Sequence, residues 1–296
     1  MIIKLKAFAK VNLLLDLTSV LENGYHSIYT VMQSVGIYDT ITVKEAPGSE
    51  IKLTCSDPNI TVGDSNTCIK AAKAFFDHTG ETVRGLDIHI DKVIPSKAGL
   101  AGGSADAAAV INALDKICGT GLSTNDKCQI GFRVGADVPF CIIGGTRLCM
   151  NIGEVTAHLP DLTDCSLVVV KPSQDVGTMQ AYKDYDSTEW IRHPDNDGFL
   201  YAVTNGDFDT MCNKAANVFE QVVELKDRVR IKSVMRSHGA GISMMTGSGS
   251  AVYGLFKNKA DAQRCYKELS GQFDDIFLTE PVSCGVKEVS ADDQDN

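Results

Sequence analysis

The sequence predicts an α+β chain built as two domains. Three observations carry that expectation: strand-like alternation through the first 45 residues, separate segments at helical spacing further on, and a shift in composition near residue 160. The opening "IIKLKAFAKVNLLLDLT" alternates well enough for a strand. "NGYHS" follows as a turn, since Asn-Gly between strand-like runs is a strong local signal. "YTVMQSVGIYDTITVKEA" then resumes strand character, and "EIKLTCSD" is a further short strand. "NTCIKAAKAFFDHTG" spaces its apolar residues as a helix does and meets a natural stop at Gly80. "GLDIHIDKVIP" sets Leu86, Ile88 and Ile90 against polar neighbours, the pattern of a half-buried strand. Ser104 is expected to cap a helix over "ADAAAVINALDKICG" that Gly119 closes. "STNDKCQIGFRVG" reads as another helix capped by Ser123 or Thr124, and "ADVPFCIIGGTRLCM" as a loop leading to a strand.

The composition shift comes where "HLPDLTD" precedes the apolar strand "SLVVVKP". A long polar stretch rich in turn formers follows, through "KDYDSTEWIRHPDNDGFLYAVTNGDFDT". A helix is then expected around "AANVFEQVVELKDRVRIKSVMRSHG", and a second over "NKADAQRCYKELSG", with "GISMMTGSGSAVYGLF" between them. The expected domains are 1–160 and 161–289, with an acidic tail, 290–296, expected to be disordered.

Bulk properties narrow the function. Of the 296 residues 44% are hydrophobic and 22% charged, enough apolar material for a sizeable core. The formal charge is −10 with no clustered basic face, which argues against a nucleic-acid partner. No 18-residue apolar span exists, so no membrane partner is expected either. Ten scattered cysteines form no CxxC pair and no zinc-ligand spacing with histidine, so no protein-held metal site is expected. Free thiols in a reducing cytoplasm are the simplest account.

Four stretches remain. "IPSKAGLAGGSADAAAV", residues 94–110, is almost all small residues at the junction of a strand and a helix. Helix-terminal amides with no intrahelical partner, together with the helix dipole, favour an anion there. Glycines let a phosphate approach the chain without meeting a Cβ. Neither the Walker spacing nor the dinucleotide fingerprint fits, and a loop built only for close packing stands as the alternative. "MMTGSGSAVYGLF" sets Gly247, Ser248 and Gly249 before an apolar run and could equally be an ordinary tight turn. In "AKVNLLLDL", Lys10 and Asn12 share one strand face, where a lone lysine is usually an edge charge. Asp137 in "GADVPF" would ordinarily be a turn or cap aspartate.

Taken together, the four stretches resemble the GHMP kinase superfamily of small-molecule kinases. Pro95, Gly99, Leu100 and "GGSADAAA" match its central motif, and Gly247-Ser248-Gly249 its third. "AKVNLLLDL" with "GYHSIYTVMQSVGIYDTITV", "IPSKAGLAGGSADAAA", "GADVPFCIIGGT" and "KPSQDVGTMQAY" are most similar to the branch that acts on a cytidine-diphosphate ester of methylerythritol (CDP-ME). The likeness runs from about residue 7 to 257. Ala101 departs from the usual glycine, and Ala105 from a usual serine.

The resemblance implies a two-domain GHMP kinase fold, with a ribosomal-protein-S5-domain-2-like ATP-binding domain followed by a ferredoxin-like one. It implies transfer of a phosphoryl group from ATP, with Mg²⁺ bound mainly through the ATP phosphates, to the 2-hydroxyl of CDP-ME in the non-mevalonate isoprenoid pathway. Pro95, Lys97, Ala98, Gly99, Leu100, Ala101, Gly102, Gly103, Ser104 and Ala105 would form the phosphate loop, with Ser104 offering a hydroxyl to phosphate or magnesium. Asp137 would take the proton of the attacking hydroxyl, and Lys10 would hold both in place. Tyr25 would stack on the cytosine and His26 read its edge; otherwise they are a turn aromatic and a surface residue. Asn12, Thr178 and Tyr182 would contact the rest of the substrate. A mevalonate- or homoserine-type kinase, or a non-catalytic nucleotide-binding protein, is the alternative. The protein is expected to be a monomer or a weak homodimer.

Overall fold

The computed structural model describes residues 1–289 apart from Asn23, Tyr25 and Glu154, so the expected turn around Asn23 and the acidic tail lie outside the described residues. Two long antiparallel strands begin the chain, β1 (Ile2–Val20) and β2 (His26–Ala46). Their register slips between Phe8 and Ala9, between Asn12 and Leu14, and between Leu17 and Ser19. Each slip bends the ribbon and re-aims side chains. The middle one lies beside Asn12.

β3 (Ile51–Cys55) pairs in parallel with β4 (Gly85–Asp91), which pairs with the distal half of β2. Between them α1 (Thr67–Thr79) starts on the side chain of Asn66 and ends on left-handed Gly80, as expected. α2 (Gly102–Cys118) starts two residues before the expected cap. Ala101, at φ 59°, turns the chain so that its carbonyl accepts the amides of Ser104 and Ala105. Ser104 is therefore inside the first turn and no side chain caps the helix. α3 (Thr124–Phe132) carries the capping box of Ser123 and Asp126. The expected loop after Asp137 is instead a short helix, α4 (Val138–Ile143), which Pro139 in its first turn favours. β5 (Thr146–Asn151) and β6 (Val155–His158) extend the sheet from the proximal half of β2.

β7 (Ser166–Val170) begins a second sheet. The polar stretch after it is helical in three places: α5 (Thr178–Asp186), α6 (Asn196–Thr204) and α7 (Phe208–Lys214). Asp195 and Asp207, which read as turn formers, accept the amides of Gly198 and Thr210 and start α6 and α7. The long helix expected from residue 215 is only a 3₁₀ turn at Val218–Gln221 and then α8 (Arg228–Ser237). Val218, Phe219 and Val223 break away to pack with Leu15 and Leu17 of β1. β8 (Ile242–Met245), β9 (Val252–Phe256), α9 (Lys259–Ser270) and β10 (Ile276–Thr279) complete an antiparallel sheet of order β10-β7-β9-β8. The sequence β7-α8-β8-β9-α9-β10 is the ferredoxin-like βαββαβ pattern.

The chain then returns to the first sheet. β11 (Val286–Glu288) pairs with Leu5–Ala7 at the outer edge of β1. Just before it, Gly285 lies flat on α4: a Cβ there would stand 1.8 Å from the Cys141 carbonyl oxygen. All ten cysteines are unpaired. Among the described residues no helix is long and apolar enough to cross a membrane.

Candidate active site

The loop between β4 and α2 is fixed by backbone. The carbonyl of Leu100 accepts the amide of Lys10 at 3.1 Å, and the carbonyl of Ala98 accepts the amide of Ala251 at 3.1 Å. Gly99, at φ 74°, presses against the turn that follows β8, where a Cβ would stand 2.2 Å from the Thr246 carbonyl oxygen. Gly247, at φ 56°, faces the Cα of Gly99 from the other side. Both positions need the left-handed conformation and the missing side chain at once. The packing alternative is therefore right for these two glycines. Gly102 is packed as well, since a Cβ there would stand 2.8 Å from Lys92 Nζ and 3.1 Å from the Ile94 side chain. Its amide and that of Gly103 also lie at the uncapped start of α2, where an anion is favoured, so packing and anion binding are compatible there.

A cavity of about 490 Å³ opens over this loop. Lys10 and Asp137 both line it, from the first strand and from the start of α4. Asp137 occupies the N-cap position of α4, yet its side chain does not cap the helix. Its carboxylate is left to the cavity, which sets aside the cap-aspartate alternative. Lys10 is almost fully buried and its Nζ donates to Asn12 Oδ1 at 2.7 Å. No ion pair joins Lys10 to Asp137 among the described residues.

Asn12 is more internal than expected. Its Oδ1 also accepts the amide of Gly247 at 2.9 Å and the hydroxyl of Thr246 at 3.1 Å, while its Nδ2 donates to Thr30 at 2.8 Å. It thus ties the lysine to the glycine turn. Thr178 and Ser248 share a hydrogen bond of 3.2 Å at the cavity wall. Tyr182 packs edge-on against Phe219, with ring centres 5.0 Å apart. Burial, and then the charge of Asp137, push its phenol up to about 12. His26 stands beside Tyr182, and its Nε2 is 2.8 Å from Asp186 Oδ1.

Pro95 to Ser104, Thr178, Tyr182, Gly247 and Ser248 all reach the cavity. Ala105 does not: it faces the core from α2 and is fully buried. Gly249 donates its amide to Thr246 and shapes the turn from behind. Lys97 points outward to Asp175, whose carboxyl is lowered by the hydrogen bond from Lys171 and then by that from Lys97. Tyr25 lies outside the described residues.

Sequence reasoning missed a buried charge cluster at the far end. Lys92 Nζ donates to Asp39 and, at 3.3 Å, to Asp106. The other oxygen of Asp39 accepts the amides of Val93 and Ile94 at 2.6 and 2.8 Å, which fixes the chain entering the loop. Burial pushes the Asp106 carboxyl well above its ordinary value, against the pull of Lys92. Burial also works against the Lys92 charge, but Asp106 and Asp39 outweigh it and hold the ammonium above its usual range. An aspartate inside an alanine run was the available signal. Among the described residues no group of three or more acidic, histidine or cysteine side chains is placed to hold a metal.

Family models place residues 66–145 among "GHMP kinases N terminal domain" and 199–275 among "GHMP kinases C terminal". The 4-diphosphocytidyl-2-C-methyl-D-erythritol kinase of Clostridium acetobutylicum is 39% identical over 94% of this chain and 99% of its own. A crystal structure of 4-(cytidine 5'-diphospho)-2C-methyl-D-erythritol kinase superposes with TM-score 0.74 at 26% identity, covering 94% of this chain and 98% of the other. Homoserine kinase from Cytophaga hutchinsonii superposes with TM-score 0.79 over 97% of each chain, but at 18% identity that likeness concerns the fold alone.

Proposed function

The chain belongs to the 4-diphosphocytidyl-2-C-methyl-D-erythritol kinase family of GHMP kinases, and on that premise we propose how its residues divide the work. The enzyme uses ATP to phosphorylate the 2-hydroxyl of CDP-ME, yielding the 2-phosphate and ADP, in the non-mevalonate isoprenoid pathway. One observation carries the assignment of roles. Asp137 sits at a helix start without capping it and opens into the same cavity as Lys10 and the loop amides.

Phosphoryl transfer needs in-line placement and compensation of developing charge more than covalent help from the protein. The amides of Gly102 and Gly103 and the hydroxyl of Ser104 hold the ATP phosphates. As the 2-oxygen bonds to the γ-phosphorus, the bond to the β-phosphate oxygen breaks and ADP leaves with its electron pair. Asp137 accepts the hydroxyl proton, and Lys10, held by Asn12, orients the attacking oxygen. Thr178 and Tyr182 bound the polyol, and His26 with Tyr25 receives the cytosine. Ser104 lines the cavity beside the loop amides, and its hydroxyl would be a ligand for Mg²⁺ carried mainly on the ATP phosphates. When bound it neutralises phosphate charge.

A functional division near residue 160 is supported by β7 starting the second sheet, although β11 comes back to the first. Ten unpaired cysteines support a cytoplasmic location. The test is incubation with Mg²⁺-ATP and CDP-ME, followed by phosphorus NMR, with Asp137→Ala alongside. A new phosphomonoester that disappears in the variant is expected. Equal turnover by both proteins removes Asp137 from its role.

A further inference from the structure

A second cavity, of about 480 Å³, lies further along β1 and β2. Leu15 and Ile28 line the first; Leu17 and His26, two residues further on and therefore on the same sheet face, line the second. Trp190 stands at its rim, 86% exposed. Two imidazoles line it, each tied to a carboxylate. His193 Nδ1 lies 2.8 Å from Asp16 Oδ1, and buried Asp16 also accepts from Asn196 and Leu17, so that pair fastens the segment bearing Trp190. The other pair differs. His26 is largely buried, with Tyr182 tilted over it at 5.4 Å and Tyr185 edge-on at 5.6 Å. Its partner Asp186 is the last residue of α5 and more than half exposed, so it carries little of the fold.

We propose that Asp186 is a positioning residue that makes this cavity select cytosine over uracil. The proposal rests on His26 as the base-reading residue of the CDP-ME kinase site. A neutral imidazole that donates Nε2–H to a carboxylate keeps Nδ1 as an acceptor. The 4-amino group of cytosine donates, whereas a pyrimidine with a 4-oxo group accepts at the same place. With Asp186 present, cytosine completes a hydrogen bond and uracil sets one lone pair against another. Without Asp186 the other tautomer becomes available, and its Nδ1–H suits uracil. A site that leaves a buried polar group unpaired rejects the wrong ligand strongly.

The test compares wild type, Asp186→Ala and Asp186→Asn in initial-rate assays on CDP-ME and its uridine counterpart at several ATP concentrations. The chain has one tryptophan, so Trp190 emission reports CDP-ME binding without ATP. Asp186→Ala is expected to cut the cytidine-to-uridine ratio of kcat/KM about tenfold, through KM for CDP-ME and with KM for ATP unmoved. The amide oxygen of Asp186→Asn still accepts Nε2–H, and that variant is expected to keep most of the selectivity. An unchanged ratio in Asp186→Ala, or equal losses in both variants, overturns the proposal while the kinase assignment stands. Failure of wild type to phosphorylate CDP-ME removes the kinase assignment and the proposal together.

Discussion

The ammonium of Lys10 lies 2.7 Å from the side-chain oxygen of Asn12, so this buried cation is held by an amide, whereas Lys92 in the same cavity is held by the carboxylates of Asp39 and Asp106. An amide orients the charge without cancelling it, which leaves Lys10 its full pull on an anionic partner. The same oxygen takes the amide of Gly247, so one residue sets the lysine and the glycine turn together.

Asn12→Ala strips the acceptor from Lys10 Nζ and from the Gly247 amide. The expected cost is about 2–3 kcal/mol of stability, since the buried ammonium and the part-buried amide lose their acceptor and Thr246 keeps only its 3.3 Å bond to the Gly99 carbonyl. Urea unfolding checks this, and steady-state assays are expected to show a lower kcat as well.

Asp137→Asn keeps the size and removes the proposed proton acceptor. A fall in kcat of about 10²–10⁴ is expected from loss of general-base help. KM for ATP is expected to hold, because among the described residues this side chain makes no hydrogen bond or ion pair with the phosphate loop.

Ala101→Gly is expected to stabilise the protein, against the usual trend for such a change. Ala101 sits at φ 59°. Relief of the left-handed strain outweighs the added freedom of the unfolded chain, for a net gain of about 0.5–1 kcal/mol. A higher urea midpoint with an unchanged slope is the readout.

Thiol chemistry reports burial directly. Burial pushes Cys149, Cys165 and Cys265 up to about 12, and Cys68 and Cys141 well above their ordinary range. Because the thiolate is the reactive form, these five are expected to resist a disulfide reagent at pH 8 until the protein unfolds. Each folded-state value lies above the unfolded one of about 9, so this stabilisation is complete below that pH and lost as pH climbs toward 12. A falling urea midpoint between pH 9 and 11 is the second readout.

Local signals carried well. The β1–β2 pair, α1 between Asn66 and Gly80, and α3 on Ser123 were all legible, because each is set by neighbours in sequence. Asp195 and Asp207 were seen as turn formers and are helix starts; a side chain that accepts from the amide three residues on serves either purpose, and the following apolar contacts decide. The site divides the same way. The glycine loop stood out by composition, whereas Lys10 and Asp137 were bland on their own and were picked out only by the family resemblance. Lys92 with Asp39 and Asp106, and His26 with Asp186, are brought together only by tertiary folding, from segments that carry no mutual mark.

The glycine strap before β11 has a consequence for how the enzyme is made. Gly285 bears on the carbonyl of Cys141, within the helix that presents Asp137, and its own carbonyl accepts the amide of Phe8. A nascent chain that has emerged only as far as β10 already owns both sheets except for β11, with the phosphate loop and the glycine turn. The helix under Asp137 is by then packed on α2, α3 and β1 and lacks only this last strap. A molecule clipped ahead of Gly285 would keep that packing and lose the restraint from the chain's far end, so the change in its turnover measures what the strap adds.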